Sequence, residues 1–99
     1  THGGGIRDPL VISWPRGIAA RGETRHQFAH ACDLAPTLLE LVGVAPPAQV
    51  NGVQQMPIEG ISFAAALRDP AAPSKDRPQY FEMFGHRGLV HGGWKAVAY

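Results

Sequence analysis

The chain has 99 residues, a formal net charge of +1, 44% hydrophobic residues and 17% charged residues. That balance excludes a disordered acidic chain and gives no electrostatic footprint for nucleic acid. No apolar run reaches the roughly 18 residues of a membrane helix, and the single Cys32 excludes an internal disulfide.

Gly 12 and Pro 9 confine regular structure to short pieces. The length allows one domain at most, or a piece of a larger one. The sequence begins at Thr1 with no methionine, charged n-region or apolar h-region, so no secretory signal is visible within it, which says little for a fragment, and the compartment stays open between cytoplasm and periplasm of bacterial type. Gly3-Gly4-Gly5 lets the backbone turn sharply, and Pro9 pushes Asp8 towards an extended conformation. Leu10-Val11-Ile12-Ser13-Trp14 has the length and β-branching of a buried strand, apolar on both faces. Residues 16–23 read as a charged surface loop, and residues 24–31 as an extended approach to a helix.

The helix expected over residues 33–42 is the clearest element. Asp33 is placed to cap it, Pro36 falls in the first turn, and Gly43 stops it. Leu38, Leu39, Leu41 and Val42 give it an apolar stripe. Residues 45–61 read as a linker with a turn at Asn51-Gly52, and Ser62 caps a short helix over residues 63–67. From Gln79 the pattern predicts three short strands separated by glycine turns, with Gly92-Gly93 as a hairpin. One buried strand, short helices and an antiparallel meander close a poor core, so the chain reads as part of a larger α/β protein.

Four groups of residues invite a chemical reading. His26 and His30 with Cys32 and Asp33 would suggest zinc on a helix, but they precede the expected helix, and surface or half-buried histidines are the preferred reading. Cys32 would be a nucleophile only beside a base; a buried core cysteine is preferred. The glycine run is followed by a strand, not by the helix N-terminus that would hold phosphate. Arg7 could still grip an oxyanion, with an ion pair to a carboxylate as the blander role. His86 and Arg87 sit at a turn that could line a pocket rim or be plain hairpin polarity. No catalytic set is complete.

The same stretches resemble the type I sulfatases of the alkaline-phosphatase-like superfamily, particularly bacterial arylsulfatases. Residues 2–15, HGGGIRDPLVISWP, look like their GG-x-R-x-P strand, and residues 33–43, DLAPTLLELVG, like their D-x-x-P-T-L-L helix. Residues 79–85 with 93–97 are similar to strands opening their C-terminal subdomain. Phosphonate and phosphate ester hydrolases share the second block.

The resemblance implies a fragment of a mixed-sheet α/β sandwich. Residues 1–45 would end the large domain, 46–78 form a connection with a short helix, and 79–99 begin a small antiparallel subdomain. It implies a parent enzyme that hydrolyses sulfate esters to alcohol or phenol plus sulfate, using formylglycine and calcium or a similar divalent ion. The logic is electrostatic: cation and basic side chains neutralise charge moving onto the leaving oxygen. This chain departs from the family pattern at the chemistry. Cys32 is followed by Asp33-Leu34-Ala35-Pro36 and no arginine, so it is not the formylglycine precursor, and no Asp-Asn metal pair is present. The implied reading is a chain with no catalytic or metal residues, inactive alone, binding no cofactor itself. His2, Arg7 and His86 are the candidate borders of a pocket for a small sulfate ester. A non-catalytic binding or assembly module of the same ancestry is the alternative. Self-association, or contact with the rest of a sulfatase, is expected from the apolar strand and helix face; membrane and nucleic-acid partners are not.

Overall fold

The structure is a computed structural model that describes residues 3–75 and 77–99, with Ile6 described by its backbone alone. The pocket candidate His2 lies outside the described residues. The elements in chain order are α1 (Gly3–Ile6), α2 (Leu34–Val42), β1 (Gln49–Val50), β2 (Val53–Gln54), α3 (Ala64–Arg68), β3 (Gln79–Met83), β4 (His86–His91) and β5 (Trp94–Ala98), with a 3-10 turn at Ala31–Asp33. They fall into two compact units. One is Pro15–Lys75; the other joins the segment ending at Trp14 to the residues that follow Lys75.

In the first of these units α2 begins and ends where its sequence dictates. Pro36 stands in the first turn, where its missing N–H has no helical partner to lose. Gly43 takes a left-handed φ of 70°. Its N–H donates to Glu40 O at 3.2 Å, while Val44 N–H reaches Leu39 O at 3.0 Å. That pair of bonds satisfies carbonyls the helix end would otherwise leave open. The short α3 starts after Ser62, whose Oγ accepts from Ala64 N–H at 3.2 Å. It lies one residue later than the sequence predicts, and its small Ala64 and Ala66 are the buried hydrophobic residues.

Residues 23–28 form a loop that laces onto α3 and the chain beyond it. Arg25 Nε donates to Ala66 O at 2.8 Å, and its guanidinium pairs with Glu23 at 2.8 Å. Gln27 Nε2 donates to both Pro70 O and Ala72 O at 2.8 Å, and Phe28 N–H donates to Ser74 Oγ at 3.1 Å. Within the expected linker, Asn51-Gly52 makes a small hairpin of β1 and β2, with φ of 50° and 79° at its tip.

In the other unit β3, β4 and β5 form an antiparallel meander in the order β3-β4-β5. Glu82 faces Arg87 and Phe81 faces Gly88 between the first pair; Gly88 faces Val97 between the second. Both connections have two left-handed residues: Phe84 at 50° with Gly85 at 82°, and Gly92 at 54° with Gly93 at 79°. Positive φ at both central positions is the tight hairpin geometry that matches strand twist.

The buried strand expected over residues 10–14 is not formed. Those residues carry no ladder, and Val11 is 89% exposed. A strand exists only through hydrogen bonds to a neighbour, and the described sheets are antiparallel hairpins built from residues 49–54 and 79–98. The glycines before it lie in the single helical turn α1. What holds as fold class is a small mixed α/β fragment with short helices and a three-stranded C-terminal sheet.

Candidate functional site

The best-organised polar cluster in the chain is built on Asp33 and Thr37, each only 3% exposed. The side chain of Asp33 does not cap α2 as its position suggests. Its Oδ2 accepts from His30 N–H at 2.8 Å, closing the 3-10 turn, and its Oδ1 accepts from Ile61 N–H at 2.8 Å. One turn later, Thr37 Oγ1 donates to Asp33 O at 2.6 Å and accepts from Phe63 N–H at 3.0 Å. Two side chains of α2 and its entry thus satisfy the backbone leading into α3. The fit is close enough that a Cβ on Gly60 would overlap the Cys32 carbonyl, with its carbon only 2.6 Å away.

Cys32 lies at the rim of this cluster and is exposed, not the core residue its setting suggests. The 3-10 turn faces it outward, where its Sγ sits 3.0 Å from His30 Nδ1 and 3.7 Å from Asp33 Oδ1. His30 Nδ1 also accepts from Cys32 N–H at 3.2 Å. His30 therefore serves as the cap of a turn, and His26 lies in the preceding loop. Among the described residues no three His, Cys, Asp or Glu side chains stand together as a metal site. Asp33 spends both carboxylate oxygens on backbone N–H groups. These residues do not fit calcium, and Cys32 lacks the setting of a formylglycine precursor.

Arg7 is exposed, and among the described residues no hydrogen bond or ion pair holds its side chain. The ion pair considered from sequence is therefore not seen there. His86, the first residue of β4, is exposed and packs edge-to-face on Tyr99, with ring centroids 5.5 Å apart at 74°. On the other face, the Tyr80 hydroxyl donates to the Glu82 carboxylate. That bond, with smaller contributions from desolvation and the carboxylate charge, holds the phenol above its ordinary pKa of 10.0, opposed by Arg87.

Sequence reasoning missed the Asp33–Ile61 and Thr37–Phe63 bonds, because they join residues 28 and 26 positions apart. The hint available was Gly60 before a β-branched residue, a place where two backbones could approach.

The helix lock and the glycine-turned meander are the structural forms of two of the three sequence blocks that carry the sulfatase resemblance, and the class of protein they fit is a piece of a sulfatase C-terminal region. The chain belongs to the N-sulphoglucosamine sulphohydrolase, C-terminal family, whose model matches residues 2–92. It is 39% identical to mouse N-acetylgalactosamine-6-sulfatase over 59 residues, covering 58% of this chain and 11% of that protein. A sulfatase of Formosa agariphila is 33% identical over 81 residues, 82% of this chain and 14% of that protein. Bovine arylsulfatase A is 41% identical over 59 residues, 59% of this chain and 11% of that protein. The chain thus spans a small part of the length of each curated relative it matches.

Proposed function

We propose that this chain is the C-terminal wall of a sulfatase whose substrate is a sulfate ester carried on an amino sugar. The observation that carries the reading is the family match over residues 2–92, whose description, N-sulphoglucosamine sulphohydrolase, names a sulfated amino sugar; the sulfate in that name is on nitrogen, so the match supports the sugar class and not the ester linkage. The name of the mouse relative, an N-acetylgalactosamine-6-sulfatase, favours the same sugar class. The formylglycine and the divalent cation belong in this reading to the larger body of the enzyme. This chain then contributes Arg7 and the His86 turn as borders of the substrate pocket, and the exposed residues 10–14 pair with a strand of that body.

The D-x-x-P-T block has a structural task here. Asp33 and Thr37 bind backbone, so the block locks a helix to its neighbour and leaves chemistry to other parts of the enzyme. The test uses the 99-residue chain alone and the same chain joined to the upstream sulfatase body. Sulfate release from N-acetylgalactosamine 6-sulfate and from an aryl sulfate is measured with calcium present. The chain alone is expected to release none, and the joined protein to prefer the amino sugar. Turnover by the chain alone, or an inactive or aryl-only joined protein, overturns the reading.

A further inference from the structure

Among the described residues three tight turns have two left-handed residues each, and they are not filled alike. Asn51-Gly52 and Gly92-Gly93 use residues that enter the left-handed region easily. The β3–β4 turn places Phe84 there, at φ 50°, with the residue 96% exposed. A bulky aromatic at this position gains nothing by burial and strains the backbone, and such an outlier points to a task outside the fold. Its neighbours are suited to one. Met83 pairs with His86 across the base of the turn, and His86 carries the edge-to-face ring of Tyr99; all are exposed.

We infer that Phe84 offers its ring as a platform for the pyranose of the amino-sugar sulfate, with His86 beside it. The inference rests on the reading of the parent enzyme given above. The ring face is the negative side of an aromatic quadrupole, and the C–H groups on one face of a pyranose are its positive complement. A sugar hydroxyl is also within the chemistry of the neighbouring imidazole, which can donate or accept. The sulfate itself needs no partner at this turn.

The probes are N-acetylgalactosamine 6-sulfate, unsulfated N-acetylgalactosamine and sodium sulfate, titrated into the 99-residue chain and followed by amide and aromatic NMR shifts. Both sugars are expected to move resonances of Phe84, His86 and Tyr99, and sulfate alone is not. Phe84→Asn is expected to weaken sugar binding at least fivefold while raising the melting temperature, because asparagine fits the turn. Phe84→Tyr keeps the ring face and is expected to retain binding. Equal binding by F84N, shifts caused by sulfate alone, or no shifts with either sugar overturn the inference. The parent reading is judged separately by sulfate release from the joined protein, so the two fail in different assays.

Discussion

Asp33→Asn isolates the contribution of the buried carboxylate with almost no change in shape. In the native chain both oxygens accept from backbone N–H groups, those of His30 and Ile61, each at 2.8 Å. Asparagine keeps one acceptor and turns an NH2 donor towards the other N–H. One charge-assisted bond is lost, worth about 1.5–3 kcal/mol, and a buried donor is left facing a donor, so the total loss is about 2–4 kcal/mol. Cores of ordinary domains leave only about 5–15 kcal/mol of net stability. Here the buried hydrophobic residues among those described are two alanines, so the loss removes a large share. With a urea slope of about 2 kcal/mol per molar, within the usual range, the unfolding midpoint should fall by about 1–2 M. Hydrogen exchange should show lost protection at the amide of His30 or Ile61, whichever meets the new NH2. A midpoint shift worth less than about 0.5 kcal/mol, with both amides still protected, would refute the view that Asp33 is a structural lock.

Three further outcomes follow from the same contacts. Thr37→Val should destabilise by about 1–3 kcal/mol, because Phe63 N–H loses its acceptor; Thr37→Ser should restore most of it in the same urea unfolding. Gly60→Ala drives a Cβ into the Cys32 carbonyl and should cost about 1–3 kcal/mol or more, read by calorimetry. Glu82→Gln should lower the pH at which Tyr80 ionises towards 10.0, followed by phenolate absorbance. Since Tyr80 is raised in the folded chain, its contribution is whole below the ordinary phenol value and is lost as pH rises through the raised one. The stability advantage of the wild type over E82Q should therefore be present near neutral pH and shrink as the pH rises through the Tyr80 titration.

The sequence was most legible where local chemistry decides the backbone. Asn51-Gly52 and Gly92-Gly93 name their own turns, Gly43 its helix end and Pro36 its first turn, since each acts through its own φ or its own N–H. It was least legible where the outcome depends on a partner distant in the chain. Asp33 resembles a cap for α2, yet its oxygens go to His30 and Ile61, and the second of these could not be read from neighbours. Phe84 belongs to the turn and not to the strand before it, because the register pairs Met83 with His86, which only the structure shows. The site residues divide in the same way. His86 opens β4 directly after the Phe84-Gly85 turn, a placement that follows from the glycine, while the role of Arg7 depends on what surrounds residues 3–14.

That dependence yields a last prediction, about the faces this chain leaves uncovered. Leu34, Leu38 and Val42 recur on successive turns of α2, and Leu38 is 61% exposed. A helix stripe of this kind normally faces another element. The expectation is that the sulfatase body covers this stripe in the proposed parent, and that the stripe of a second copy covers it in the isolated chain. Leu38→Lys keeps helix propensity and an aliphatic stem, so at an exposed site it should change folding stability by no more than about 0.5 kcal/mol. It should nonetheless reduce the sedimentation coefficient of the concentrated chain by breaking self-association. Joined to the upstream body, the same substitution should lower thermal stability, because there the lysine would be buried against apolar surface. Unchanged sedimentation of L38K, or an unchanged melting temperature in the joined protein, would show that this face of α2 is ordinary solvent-exposed surface.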